Sequence, residues 1–81
     1  WNSDLGIMEN EIEIKLTKDE ALVLFEFLSR FNQDYHSTIF EDKAEQKPLL
    51  TIEGQLEKIL VEPFKPDYLD IIKNARNRLR D

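Results

Sequence analysis

Several residue types that support enzyme chemistry are scarce in this chain or missing from it. It contains no cysteine, one histidine and two glycines, so disulfides and thiolate metal sites are excluded. The single histidine, His36, has no evident partner that would position it as a catalytic base. Gly6 and Gly54 are too far apart to form a glycine-rich phosphate loop. We therefore predict no catalytic residues, no cofactor and no metal, and thus no enzyme.

The chain also lacks long apolar runs and an excess of positive charge. No stretch approaches the roughly 20 apolar residues that span a bilayer, and no charged-then-apolar leader of the secretory type is seen. The net charge of −6 over 81 residues repels nucleic acid and anionic membranes. The missing membrane span and leader predict a cytoplasmic protein. The negative charge predicts that it does not bind membranes and that its partner is another protein.

The length predicts one small domain. Met8 precedes strongly patterned sequence, whereas residues 1–7 show no periodicity. We interpret residues 1–7 as an added or disordered segment and residues 8–81 as a single small helical domain.

Residues 11–16 alternate polar and apolar side chains, a pattern typical of a half-buried strand. One face carries the apolar residues and the other the charged ones: Ile12, Ile14 and Leu16 against Glu11, Glu13 and Lys15. A lone strand leaves its backbone unpaired. It could pair with an extended stretch at 61–64, with its copy in a homodimer, or with a partner's sheet.

A first helix is predicted over 18–32, with Thr17 and Glu20 at the spacing of a capping box. Leu22 and Val23 fall outside its main apolar stripe, so they contact another element or form part of a sticky surface. The predicted core face consists of Ala21, Leu24, Phe25, Phe27, Leu28 and Phe31.

The middle of the chain is harder to interpret because Pro48 interrupts it. Thr38 and Glu41 have capping-box spacing, which predicts a helix over 39–47 followed by another over 48–61, or one helix kinked at Pro48. The second piece carries an apolar helical stripe, although a strand over 49–53 that ends at Gly54 is the alternative. The stripe consists of Leu49, Ile52, Leu56, Ile59 and Leu60.

A last helix is predicted over 66–80, with Pro66 at its first position and Phe64 packed on Leu69 as a hydrophobic staple. Its apolar stripe consists of Tyr68, Ile71, Ile72, Ala75 and Leu79. The expected fold is therefore mainly α, with one N-terminal β-strand followed by three to four helices.

Charge is distributed unevenly along the chain. Residues 1–64 contain fourteen acidic and six basic residues, a net charge of −8. Such a surface can steer a basic protein partner, although acidity also simply favours solubility. The predicted partner-binding residues are Glu11, Glu13, Asp19, Glu20, Leu22, Val23, Glu26, Glu41, Asp42 and Glu45.

The last helix is mildly basic. Lys73, Arg76 and Arg80 share one flank, with Arg78 on the other, and they form a candidate anion or nucleic-acid contact. A solvated helix whose cations suit the helix dipole is the simpler alternative. Glu53 lies at the edge of an apolar stripe, where we expect it to pair with an arginine of the last helix.

A resemblance is carried by four stretches: LTKDEALVLFEFL from residue 16, FEDKAEQ from 40, LEK from 56 and LVEPF from 60. Together they are similar to a group of short, acidic, uncharacterised bacterial proteins, over nearly all of residues 8–81. Small acidic proteins of this kind are often companions of toxins, so the resemblance implies an immunity protein or antitoxin. Pro48 departs from the uninterrupted helix expected there.

Three functions follow as hypotheses. The first is an inhibitor of immunity or antitoxin type, which occludes a basic partner surface with its acidic face. The second is an assembly module that forms a homodimer through its N-terminal strand. The third is a nucleic-acid accessory protein that uses its basic last helix.

Overall fold

The computed structural model describes residues 11–34 and 38–81, and this part of the chain is mainly helical, as predicted. Its elements are helix α1 (Lys18–Phe31), helix α2 (Gln46–Ile59) and helix α3 (Tyr68–Arg80), with short 3₁₀ helices at Lys43–Glu45 and Glu62–Phe64. The interpretations of residues 1–7 and of His36 concern positions outside the described residues.

Helix α1 begins at the predicted capping box. The Thr17 hydroxyl accepts a hydrogen bond from the Glu20 backbone N–H at 3.1 Å, and the Glu20 carboxylate accepts one from the Thr17 N–H at 2.9 Å. Two otherwise unsatisfied donors of the first turn are thereby paired. The helix ends at Phe31, where the N–H of Asn32 donates to carbonyls of the last turn.

Helix α1 is the central element, because it packs against both α2 and α3. A helix between two neighbours buries a broader arc than one stripe. Leu22 is therefore only 2% exposed, and its interpretation as part of an exposed partner surface is wrong. Phe27, predicted to be in the core, is instead 48% exposed. The buried residues are Ala21, Leu22, Phe25, Leu28, Leu60, Ile72 and Ala75.

The structure corrects the two helices predicted for 39–47 and 48–61. Helix α2 begins at Gln46, so Pro48 lies within its first turn, where a missing N–H is tolerated. The strand alternative for 49–53 is wrong as well. Within residues 38–45, the helical part is the Lys43–Glu45 3₁₀ turn, in which the Asp42 carboxylate accepts a hydrogen bond from the Ala44 N–H at 2.8 Å.

The connector to α3 also differs from the prediction. The 3₁₀ turn Glu62–Phe64 leaves Phe64 74% exposed and Leu69 78% exposed, so these two side chains do not form the predicted staple. Helix α3 begins at Tyr68 rather than Pro66, with Asp67 as the N-cap. Its predicted core face is largely confirmed, since Ile72 and Ala75 are buried and two neighbouring side chains pack on them.

The strand predicted over residues 11–16 is not formed. Residues 11–17 have no regular secondary structure, and Ile12 is 88% exposed and Ile14 77% exposed. A strand requires a partner for its backbone groups. Residues 61–64, the intramolecular candidate, turn as a 3₁₀ helix and offer no extended edge.

Candidate protein-binding surfaces

One predicted acidic binding residue instead holds two helices together. The Asp19 carboxylate accepts two hydrogen bonds from the Arg78 guanidinium, at 2.7 Å from Nε and 2.8 Å from a terminal nitrogen. This fork-like pairing joins the first turn of α1 to the last turn of α3. The Arg78 hydrogen bonds lower the pKa of Asp19, and the same bonds raise the pKa of Arg78.

A second ion pair ties α1 to the connector. Lys18 Nζ donates to Glu62 at 2.9 Å. This bond is the main cause of the lowered pKa of Glu62. The other Glu62 carboxylate oxygen is buried and has no hydrogen-bond partner among the described residues. Lys18 therefore links the first turn of α1 to the connector that precedes α3.

Glu26 is also used within the fold. Its carboxylate accepts a hydrogen bond from the Tyr68 hydroxyl at 2.9 Å and lies 3.6 Å from Arg30 Nε. Burial raises the pKa of Tyr68, and the Glu26 carboxylate beside it raises the pKa further. Glu26 thus anchors the start of α3 on the middle of α1.

Three more predicted acids have local structural roles. Glu20 and Asp42 cap helical turns, and the Glu45 carboxylate accepts from the Glu41 backbone N–H at 3.0 Å. Within the described residues, no acidic or histidine cluster is arranged to hold a metal ion. Among the predicted acids, Glu11, Glu13 and Glu41 are the exposed ones for which the structure gives no side-chain role.

A polar contact between α1 and α2 was not foreseen from sequence. The Asn32 side-chain amide donates to Glu53 at 2.8 Å and to the Leu49 carbonyl at 3.3 Å. Glu53 therefore pairs with the end of α1 rather than with an arginine of α3 as predicted. A polar residue directly after a helix signals a C-cap, but no sequence pattern identifies a partner 21 positions away.

The N-terminal segment (residues 11–16) is the most exposed amphipathic feature of the described chain. Ile12, Ile14 and Leu16 are all exposed, with Leu16 at 43%. Glu11, Glu13 and Lys15 are exposed as well. If this stretch becomes extended, its alternation places an apolar face and a charged face on opposite sides.

A groove of about 400 Å³ lies between α1 and α3, and we call it the α1–α3 groove. Leu24, Phe27 and Leu79 supply apolar walls together with Val23, which also packs against the core and so contacts another element, one of its two predicted alternatives. Arg30 and Arg76 add positive charge, and Glu20 adds one acid. Arg30 also lies 6.0 Å above the centre of the Phe27 ring, within reach of a cation–π contact.

The basic flank predicted on the last helix is divided among separate environments. Lys73 is exposed, Arg76 lines the α1–α3 groove, and Arg80 donates a hydrogen bond to Asn77. Arg78 is occupied by Asp19. These cations therefore have different neighbours, and they do not form one continuous basic surface.

Comparison with protein-family models, with curated proteins and with solved structures finds no match to this chain. In the described part of the chain, none of the helices combines the length and the apolar character that a bilayer crossing requires. The geometry of the exposed surfaces is therefore the basis for a functional proposal.

Proposed function

We propose that this protein binds another protein through its N-terminal segment and acts as an inhibitor of the immunity or antitoxin type. The observation that carries the proposal is the exposure of Ile12 and Ile14, at 88% and 77%, within an alternating stretch whose backbone has no strand partner among the described residues. An exposed segment with alternating polar and apolar residues can bind by adding a strand to a partner's sheet.

Binding by strand addition would use both faces of the segment. The apolar face, with Ile12, Ile14 and Leu16, would pack on the partner's apolar surface, and each fully buried side chain would stabilise the complex by about 1.5–3 kcal/mol. Glu11 and Glu13 on the opposite face would meet basic groups of the partner. Occlusion of a basic surface by these carboxylates is the proposed mode of inhibition.

Self-pairing of the N-terminal segment is a second candidate, favoured by its charge pattern. If two copies pair in antiparallel fashion with Ile14 opposite Ile14, then Glu13 lies opposite Lys15 at two symmetric positions. Ile12 then lies opposite Leu16. Opposite charges and apolar pairs across strands are each favourable, so this register would support a homodimeric assembly module.

A capture experiment with matched variants tests the first candidate. The chain is immobilised as wild type, as Ile12→Lys/Ile14→Lys, and as the control Ile39→Lys/Ile59→Lys, which changes two exposed isoleucines elsewhere. Host proteins retained on each matrix are identified by mass spectrometry. We expect a protein that wild type and control retain and that the segment variant loses.

The electrostatic part of the proposal is tested with the captured protein. Exposed charge pairs weaken as salt rises, so affinity should fall from low to high salt, and Glu11→Gln/Glu13→Gln should flatten this dependence. Retention of the same proteins by the segment variant would contradict the proposal. Salt-independent binding would contradict occlusion of a basic surface.

A further inference from the structure

We infer that one backbone edge of the N-terminal segment pairs with the same edge of a second copy, and that this self-pairing limits the binding of a partner protein. Strand addition to a partner needs the same backbone groups, so a second copy and a partner exclude each other. The regulatory part rests on the proposed binding of a partner by this segment.

The segment has two backbone edges when it is extended, because the N–H and C=O groups of successive residues point in opposite directions. The even edge consists of the backbone groups of Ile12, Ile14 and Leu16. The odd edge consists of those of Glu11, Glu13, Lys15 and Thr17. Thr17 belongs to this alternation because its backbone is still extended, with φ −69° and ψ 165°.

The start of α1 occupies the last position of the odd edge. The Thr17 N–H donates to the Glu20 carboxylate at 2.9 Å, and the Thr17 carbonyl accepts a hydrogen bond from the Ala21 N–H at 2.9 Å. Within the described residues, the structure gives no hydrogen bond to the backbone of Ile12, Ile14 or Leu16. The even edge is therefore the one that can pair along its whole length.

Two even edges pair fully in the antiparallel register centred on Ile14. Ile14 then exchanges hydrogen bonds with Ile14 of the second copy, and Ile12 exchanges them with Leu16. In the same register on the odd edge, Glu11 would lie opposite Thr17, whose N–H is already bonded to Glu20. Self-pairing through the even edge thus satisfies more backbone groups than pairing through the odd edge.

The side chains are compatible with this pairing on both faces of the two-stranded ribbon. Glu13 lies opposite Lys15 of the second copy at a non-hydrogen-bonded position, where Cα atoms are about 4.5 Å apart and side chains are closest. Two-fold symmetry repeats this charge pair. The apolar side chains lie on the other face, so charge pairs and apolar pairs form together.

The dimer is expected to be weak, because an isolated two-stranded ribbon is only marginally stable in water. Self-pairing alone does not cover the apolar face, on which Ile12 and Ile14 are 88% and 77% exposed. A partner that accepts the same edge and packs on this face also buries these side chains. Such a partner displaces the second copy, and self-pairing opposes it increasingly as the chain concentration rises.

The dimer is tested in the chain alone by sedimentation and light scattering from micromolar to millimolar concentration. Lys15→Glu places like charges opposite each other at two symmetric positions, so it should raise the dissociation constant of the dimer by about tenfold or more. Glu13→Lys/Lys15→Glu exchanges the two charges and should dimerise like wild type. The control Lys73→Glu makes the same charge change at an exposed position of α3 and should leave the dimer intact. Circular dichroism verifies that each variant is folded.

Amide hydrogen exchange in the dimer identifies the paired edge. The amides of Ile12, Ile14 and Leu16 should exchange slowly, whereas those of Glu13 and Lys15 should exchange rapidly. Protection of Glu13 and Lys15 instead, or of no amide in the segment, would overturn pairing through the even edge. A wild-type chain that stays monomeric at every concentration would overturn self-pairing altogether.

The regulatory part is tested with a protein retained in the capture experiment. The apparent affinity of wild type for this protein should fall as the chain concentration rises through the dissociation constant of the dimer, whereas that of Lys15→Glu should stay constant over the same range. A constant wild-type affinity in the presence of the dimer would overturn the regulation. A monomeric chain that captures a partner contradicts self-pairing and leaves the proposed function standing, whereas a dimer that captures no partner contradicts the proposed function and the regulation.

Discussion

At the scale of single residues, the Asp19–Arg78 pair connects stability to pH. A carboxylate whose pKa is lowered in the folded state stabilises that state above its ordinary pKa of about 4, and the contribution is lost as pH falls through the folded value. The hydrogen bonds from Arg78 lower the pKa of Asp19 in this way. The pair therefore favours the folded protein at neutral pH and ceases to do so in acid.

Replacement of Asp19 should reduce the acid sensitivity of the fold. We expect the unfolding free energy of wild type to fall between about pH 5 and pH 2. Asp19→Asn should show a smaller fall, because it has no carboxylate to protonate, and Arg78→Gln should show a similar reduction. Urea titrations across this pH range measure the difference. An unchanged pH dependence in both variants would contradict a stabilising pair.

Residue roles could be predicted from sequence only where the partners are close in the chain. The capping box of Thr17 and Glu20 involves positions three apart, and the structure confirms it. The Asp19–Arg78 pair spans 59 positions and the Asn32–Glu53 contact spans 21. Such partners depend on how helices pack, so Asp19 was interpreted as surface charge and Glu53 was assigned a partner on the wrong helix.

At the scale of secondary-structure elements, Gly54 is an evident weakness of α2. It lies inside a 14-residue helix, where glycine costs about 0.5–1 kcal/mol relative to alanine. A Cβ atom added there would meet nothing within 4 Å. The glycine is therefore not required by close packing within the described chain.

Gly54→Ala should raise the unfolding free energy by about 0.5–1 kcal/mol, because it restricts the unfolded chain and favours the helical backbone. Chemical denaturation gives the change directly, and Gln55→Ala at the exposed neighbouring position serves as the control with a smaller effect. A loss of stability in Gly54→Ala would mean that position 54 is closely covered in solution.

The helices differ in how well their sequences define them. Helix α1 has a capping box and a long amphipathic pattern, and α3 has a clear apolar stripe, so both were predicted nearly in full. The start of α2 was missed because Pro48 is compatible with a first turn as well as with a break. The strand at 11–16 has the correct local pattern, but a strand forms only when another backbone is available to pair with it.

At the scale of the whole molecule, apolar surface is abundant relative to the core. Among the described residues, seven hydrophobic residues are buried and twelve large ones are exposed. A small core supplies only modest stability, and association adds stability by mass action. The N-terminal segment and the α1–α3 groove both present apolar side chains that binding to a second molecule would bury.

The positions of the charged side chains say more about possible binding surfaces than the net charge of the molecule does. The Asp19 carboxylate is paired with Arg78, which lies outside residues 1–64, so the net −8 of those residues overstates the charge available to a partner. The exposed carboxylates of Glu11 and Glu13 lie in the N-terminal segment itself. The proposed steering by charge and the proposed docking by apolar contact would therefore use the same segment.

Amide hydrogen exchange over residues 12–16 tests the role of this segment most directly. It is measured in the free chain at low concentration and in the complex with the captured partner. We predict rapid exchange in the free chain and strong protection of alternate amides in the complex, as strand addition requires. Equally rapid exchange in both states, or protection already in the free monomer, would contradict the account.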